Sequence, residues 1–380
     1  MRIGIMLRSL DEKGGVGVYT RNVVRELLDL DEHNRYVLFY RDPANLGRYA
    51  ARPNVEERVI RGANNFVWDQ IAIPIACWRS RLDVVFHPKF SVPLLAPCRA
   101  AMVVHGADWF IPEQARFYGR WDVRYIRTAM PLYFRRAGVV LSVSRLTTEN
   151  FRRVLRIPAE KIHTVYFGPA RHFRRIEDGE GLEAARARYR LPERFLLTLT
   201  KARGGDTRKN LDQLLLGYAR YHAEAERPVP LVIGGEDCER FRAQYQIPRD
   251  GFGRDIHFPG WIEQKDLPAI YTLADLFVYP SRLEAFPIPL TEAMACGTPI
   301  VTSDANGLRE IAGDAAVLVD PEDPAAIAEA IARVLSDADL RASLAARGLE
   351  RVKGFSWDRC ARDTLSILEA LANDASTATA

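Results

Sequence analysis

Two carboxylates, Glu284 and Glu292, stand at either end of a segment that follows a strand-like run, Leu276–Tyr279, and passes into a short helical stretch. A carboxylate has two acceptor oxygens and can take both hydroxyls of a cis-diol, which suits Glu292 to a ribose and Glu284 to the hydroxyls of a sugar. Between them run Phe286, Pro287 and Ile288, where loop N–H groups and a helix start favour a diphosphate. Glu292 is expected in the first helical turn. The plain alternative is that Glu292 complements a helix dipole and Glu284 is a solvated loop acid.

Upstream, Lys201-Ala-Arg203-Gly-Gly-Asp-Thr-Arg208-Lys209-Asn210 closes one strand and opens a helix. Fixed cations there would neutralise charge growing on a departing phosphate; a solvated basic turn is the alternative. Near the start of the chain, Gly14-Gly15-Val16-Gly17 joins a first strand to a helix, where glycines let backbone approach a phosphate or sugar ring. The G-x-G-x-x-G dinucleotide fingerprint is absent. His105 closes the run Met102–His105, followed by Asp108 and Trp109. A strand-end histidine is commonly structural, and its place at the carboxyl edge of a parallel sheet is what argues for contact with substrate. His87 is read as structural.

These residues require a scaffold that presents strand ends. Apolar runs of strand length alternate with segments of helical period: Ile3–Leu7 with Val18–Leu30, then Tyr36–Tyr40, Val84–Phe86, Met102–His105, Val139–Val143 and His163–Phe167. A charged stretch follows Phe167. The pattern resumes at Phe195–Thr200, Leu231–Gly234, Ile256–Phe258, Leu276–Tyr279, Ile300–Thr302 and Val317–Val319. Such alternation predicts α/β architecture: two Rossmann-like, doubly wound domains in series, facing across a cleft lined by their strand ends. The expected divisions are an N-terminal domain over 1–178, a second domain over 179–356, and a helix over 357–380 that crosses back to the first domain and ends in a frayed tail.

Composition supports an ordinary globular enzyme of two domains: 380 residues, 48% hydrophobic and 27% charged. The five cysteines are odd in number and scattered without metal-ligand spacing, which favours a reducing cytoplasm, and Met1–Lys13 is too short in apolar residues and too charged for a signal peptide. The net charge of +4 hides an asymmetry. Residues 1–178 hold 29 Lys+Arg against 18 Asp+Glu, and 179–380 hold 24 against 31, giving +11 and −7. The excess gathers in the segment after Trp109, where Arg116 and five further arginines to Arg136 interleave with aromatics. An ordinary half-buried helix, an acceptor groove formed by Asp108, Trp109 and Arg116, and a surface for anionic lipid are the competing readings. Nucleic acid is disfavoured because no binding module accompanies the charge.

The segment Glu284-Ala-Phe286-Pro-Ile-Pro289-Leu-Thr-Glu292-Ala-Met-Ala295-Cys-Gly297-Thr-Pro299 resembles the signature of retaining nucleotide-sugar glycosyltransferases of the GT-B fold, family four, with its E-x7-E motif. Ala285 and Pro287 stand where that motif has glycines, and Pro287 removes one backbone donor. The resemblance extends through Phe258-Pro-Gly-Trp261, Tyr271-Thr-Leu-Ala-Asp275, Val319-Asp-Pro321 and Phe355-Ser-Trp357. It implies a GDP- or UDP-linked sugar as donor, a glycan or lipid-linked acceptor, and front-face transfer with retention and no metal or other cofactor. It implies further that Lys209 clamps the donor diphosphate together with a basic partner, for which Arg203 is nearest in spacing and Arg208 and Lys201 are the alternatives, that Glu284, Phe286, Pro287, Ile288 and Glu292 hold the donor, that Gly15 and Gly17 lie against the diphosphate, and that His105 touches the donor sugar. Two other classes remain open at this point: a GT-B relative with phosphorylase or epimerase chemistry, and a nucleotide-sugar-binding subunit without catalysis.

Overall fold

The computed structural model describes residues 1–200, 207–235 and 238–374, and it divides into two compact units. The first comprises Met1–Phe167 together with the chain from Trp357 onward; the second is Gly168–Ser356. The stretch 168–178, assigned to the first domain by the sequence reading, thus belongs to the second unit, where Phe173 is buried beside Phe195, Leu197 and Tyr271.

Seven parallel strands build the first unit: β1 (Arg2–Met6), β2 (Arg35–Tyr40), β3 (Val55–Val59), β4 (Val84–His87), β5 (Arg99–Val104), β6 (Val139–Ser142) and β7 (Ile162–Thr164), in spatial order 3-2-1-4-5-6-7. The central strands are apolar without alternation, as burial on both faces demands; β1, β4 and β5 carry Ile3, Ile5, Val84, Phe86, Ala100 and Met102, all fully buried. β3, Val-Glu-Glu-Arg-Val, is an edge strand whose charged residues hide its strand character in the sequence.

The helix Gly15–Leu30 covers one face, and the last helix, Trp357–Asn373, packs against it. The Trp357 ring stacks on Phe167 at 4.6 Å and meets Tyr19 edge-on at 5.7 Å. Near the other end, Asn34 donates to Glu369 at 3.0 Å. These contacts place the returning helix in the first unit. On the other face, the segment after Trp109 is broken into a turn at Asp108–Phe110, a short helix at Pro112–Ala115 and a long helix, Arg120–Arg136.

The second unit repeats the plan with β8 (Leu196–Leu199), β9 (Leu231–Gly234), β10 (Ile256–His257), β11 (Leu276–Tyr279), β12 (Ile300–Ser303) and β13 (Val317–Val319), ordered 10-9-8-11-12-13 and parallel throughout. Separate apolar clusters fill its two faces, one including Leu214, Tyr218 and Ile327, the other Tyr271, Leu290 and Met294. In both sheets the order reverses beside the first strand, so each offers a ligand position at the carboxyl edge there. Among the described residues no helix is long and apolar enough to cross a membrane.

Candidate functional site

The carboxyl edge of the second sheet carries a compact polar cluster. Tyr279 ends β11, Ser281 and Glu284 follow in the loop, and Lys209 comes from the turn Thr207–Lys209 before the helix Leu211–Glu224. The Lys209 ammonium pairs with Glu284 Oε1 and donates to the Tyr279 hydroxyl at 2.6 Å. Tyr279 in turn donates to Glu284 Oε1 at 2.7 Å, and the Ser281 hydroxyl, whose one proton is shared with Arg208 C=O, lies 3.2 Å from the same oxygen. All three contacts converge on Oε1. Among the described residues no partner reaches Glu284 Oε2, which can accept other hydroxyls, and the ammonium makes two contacts, leaving one of its three N–H groups.

Burial opposes the charge on Lys209, but Glu284 and Tyr279 outweigh it and hold the ammonium above the usual lysine range. The Tyr279 hydroxyl is likewise pushed up, by burial first and by Glu284 second. Lysine and tyrosine both keep their protons at neutral pH, so the cluster presents a fixed cation.

The loop itself is what sets the lysine in place. Arg282 N–H donates to Arg208 C=O at 2.7 Å and the Ser281 hydroxyl to the same carbonyl at 2.9 Å. The Arg282 guanidinium spans Asp212 at 2.8 and 2.9 Å and Glu322 at 2.5 and 3.0 Å. Asn210, with φ 58°, takes the left-handed conformation that asparagine tolerates better than most residues, and its amide donates to Pro280 and Pro321 carbonyls. Gly307 closes the loop from below: its N–H reaches Glu284 C=O at 3.0 Å, and a side chain there would overlap that carbonyl and the next.

Glu292 lies on the helix Ile288–Ala295, past its first turn, because the helix has already begun at Ile288. The expectation of a first-turn carboxylate is therefore corrected, and the alternative in which Glu292 complements the helix dipole loses its basis. Its side chain is buried and accepts from the Tyr271 hydroxyl at 3.2 Å. Burial raises its pKa to about 7, with the Tyr271 hydrogen bond pulling the other way. The N-terminus of this helix is also less open to a diphosphate than expected. Ile288 N–H is bonded to Phe286 C=O and Leu290 N–H to Pro287 C=O, while Pro289 has no N–H. Phe286 is buried against Phe355, ring centroids 5.9 Å apart. Arg203, with Lys201, lies outside the described residues.

On the first unit, His105 follows β5. Its Nε2 sits 2.9 Å from Pro88 C=O, which makes Nε2 the protonated nitrogen and Nδ1 the acceptor. Burial lowers its pKa to about 4, so the ring is neutral at physiological pH; its edge packs on Tyr19 at 4.9 Å. Asp108 accepts from the Tyr118 hydroxyl at 2.6 Å, and the Trp109 ring lies between Tyr118 and Phe90 at 5.2 and 5.5 Å. Arg116 is stacked over the Phe117 ring at 5.0 Å. His87 is buried with Nδ1 2.9 Å from both the Ser91 carbonyl and hydroxyl, while its Nε2 has no hydrogen-bond partner among the described residues.

The two glycines behave differently from one another. Gly15 has open space around it, but a Cβ on Gly17 would lie 1.9 Å from Glu12 C=O. Gly17 lets the helix start pack against the chain's own loop, which Arg21 fastens by donating to Leu10 C=O at 2.7 Å. The absence of a side chain at Gly17 thus lets the helix start approach Glu12 closely.

Sequence reasoning did not single out Tyr271, Tyr279, Ser281, Arg282 or Asn210 as site residues. Tyr279 could have been found as the polar last residue of an otherwise apolar strand; the others become visible only once the loop is folded against the Lys209 turn.

Residues 13–168 match the family Glycosyltransferase Family 4, and residues 183–351 match Glycosyl transferases group 1. The O-antigen chain mannosyltransferase B of Escherichia coli is 30% identical over 77% of this chain and 76% of its own length. The serotype-specific mannosyltransferase WbdA of Escherichia coli is 28% identical over 59% of this chain, which spans only 28% of that longer protein. Among solved structures, Anabaena HepE in complex with UDP superimposes with a TM-score of 0.76 at 16% identity, covering 97% of this chain and 100% of the other.

Proposed function

The chain belongs to the group 1 glycosyl transferases, GT-B enzymes of glycan biosynthesis, and from that membership we propose that it moves a hexosyl unit, mannosyl first among candidates, from a nucleoside diphosphate sugar to a glycan or lipid-linked acceptor. The observation that carries the donor reading is the division of labour on Glu284. Oε1 is held by Lys209 and Tyr279 and approached by Ser281, while among the described residues nothing reaches Oε2, which can take sugar hydroxyls. The remaining N–H of Lys209 can then meet a phosphate oxygen of the donor, where a fixed cation stabilises charge on the leaving nucleoside diphosphate. The mannosyltransferase relative supports the sugar, and the UDP-bound neighbour supports a nucleotide as leaving group.

In this reading Glu292 takes the ribose diol, and neutral His105 accepts a hydroxyl of the donor sugar through Nδ1. Transfer proceeds on one face of the sugar. The acceptor oxygen bonds to the anomeric carbon as the phosphate oxygen departs, and that phosphate oxygen takes the acceptor proton, so configuration is retained without a metal. Asp108 and Trp109, brought together by Tyr118, belong to the acceptor, and the basic helix Arg120–Arg136 favours an acceptor or membrane surface that is anionic.

The test is a thermal-shift screen of GDP- and UDP-linked sugars, followed by acceptor-dependent release of nucleoside diphosphate. A donor that raises Tm selectively and is consumed only with acceptor present supports the proposal. Release of sugar 1-phosphate, or epimerised donor without acceptor, would overturn it.

A further inference from the structure

A cavity of about 600 Å³ opens in the second unit between the segment 171–176, the helix Gly179–Tyr189 and the helix Leu267–Leu273. None of its lining residues belongs to the Lys209–Glu284 cluster. Its wall carries four cations, Arg171, Arg174, Arg188 and Lys265, against the single acid Asp266. That acid is already engaged: Arg188 pairs with it at 3.1 Å and the Tyr189 hydroxyl donates to it at 2.7 Å. Among the described residues, no carboxylate pairs with Arg174 or Lys265. The floor between the cations is apolar and small, with Ile176, Ala184 and Pro268.

We propose that this cavity is a second ligand site that takes a small molecule bearing a phosphate monoester. Two cations that no carboxylate pairs among the described residues match a dianionic group, whereas a carboxylate would neutralise only one of them. The volume is that of a small-molecule pocket, and the apolar floor suits a compact body behind the charged group. Occupancy also bears on the donor site. The helix Leu267–Leu273 presents Pro268 and Ala269 to the cavity and Tyr271 to Glu292, and Ile176 N–H is fastened to Thr272 of the same helix at 3.2 Å. Only this regulatory consequence rests on the donor reading of Glu292.

Calorimetric titration with mannose 6-phosphate, and sedimentation with vesicles with and without phosphatidic acid, test the site on the full chain. Binding of either probe that survives in Lys209→Ala and weakens at least tenfold in the double variant Arg174→Gln/Lys265→Gln supports it, and the arm that responds identifies a soluble or a lipid source. Both substitutions are at exposed positions, so an unchanged Tm shows that the fold is intact. Absence of binding at millimolar probe, or binding lost in Lys209→Ala and kept in the double variant, overturns the site. The donor KM measured with and without mannose 6-phosphate tests the regulation: a shift that Tyr271→Phe abolishes supports it, and an unchanged KM with binding intact overturns it. Should no donor turn over at all, the donor reading fails while the calorimetry still decides the site.

Discussion

Lys209 and Glu284, 75 residues apart in the chain, form an ion pair closed into a triangle by the Tyr279 hydroxyl. The triangle fixes where the lysine points, and its effect differs from that of an exposed pair because both side chains are largely withdrawn from solvent, 23% and 16% exposed. Among the described residues, removing Lys209 leaves Glu284 with the Tyr279 and Ser281 hydroxyls but without a counter-charge, and removing Glu284 leaves a cation facing a tyrosine. Lys209→Ala is expected to lower kcat by about 10²–10³-fold, the usual loss for one preorganised electrostatic group. Glu284→Gln keeps an acceptor oxygen and is expected to raise the donor KM more than it lowers kcat. Steady-state kinetics on the two variants check this, and near-normal turnover in Lys209→Ala would remove it from the donor site.

Tyr279→Phe separates positioning from charge. It deletes the hydroxyl that links the pair without altering either ion, and the ring still stacks on Phe277 at 5.4 Å. The net loss of a hydrogen bond is about 1 kcal/mol, or roughly fivefold in donor affinity, with folding retained. Isothermal titration with the donor measures it.

The buried Glu292 gives a pH dependence whose sign can be worked out. Its pKa of about 7 in the fold stands above the ordinary 4.5, so between those values the folded protein binds more protons than the unfolded one. Stability is therefore highest below about pH 4.5 on account of this group and is lost as pH rises through about 7. The rise from 4.5 to about 7 corresponds to about 3 kcal/mol. Glu292→Gln is expected to flatten the pH dependence of unfolding in that window while abolishing ribose recognition, since the amide replaces one acceptor oxygen with a donor. Donor affinity in the native protein is expected to rise with pH through about 7 as the carboxylate ionises. Denaturant unfolding and donor titration over the same pH series provide the two readouts.

Neighbouring glycines are expected to respond in opposite ways. Gly17→Ala drives a Cβ into the Glu12 carbonyl and is expected to cost about 2 kcal/mol or more, through displacement of the loop that Arg21 holds. Gly15→Ala meets open space at the first position of a helix and is expected to be neutral or to stabilise by up to about 1 kcal/mol. Thermal unfolding of the two variants decides whether the glycine loop is built for packing or for ligand approach.

Much of this architecture is legible in the sequence because buried parallel strands must be apolar on both faces, which makes runs such as Phe195–Thr200 and Val139–Val143 conspicuous. What escaped was set by long-range contact. β3 is an edge strand whose Glu56, Glu57 and Arg58 give no apolar run. The start of the helix at Ile288, and hence the place of Glu292 on it, depends on Pro287 and Pro289 in ways that periodicity cannot resolve. The grip of Arg282 on Asp212 and Glu322 joins residues far apart in the chain, and nothing local announces it. Arg136 was counted with a basic surface, yet its guanidinium donates to the carbonyls of Leu94, Ala96 and Cys98 and fastens the loop before β5.

That distinction among arginines makes the proposed membrane contact testable. On the helix Arg120–Arg136, Trp121, Tyr125 and Leu132 lie on one face and are exposed, Trp121 by 82%, while Ile126, Met130 and Phe134 face the core. Arg120 and Arg124 flank the exposed aromatics and are themselves exposed. An aromatic stripe bordered by arginines is the composition of a helix that rests at a lipid interface. Each basic residue near an anionic surface is worth about 1 kcal/mol, so Arg120→Gln/Arg124→Gln is expected to weaken binding to phosphatidylserine vesicles by roughly 30-fold at low salt. Because surface charges are screened over about 8 Å at physiological ionic strength, the wild-type binding should fall as salt rises and that of the double variant should fall less. Trp121→Ala should weaken binding at every salt concentration, through lost apolar insertion. Arg136→Gln should instead lower Tm with vesicle affinity per folded molecule unchanged, since its partners are the carbonyls of the chain; vesicle sedimentation in which Arg136→Gln matched Arg120→Gln/Arg124→Gln would dismiss this face as the lipid contact.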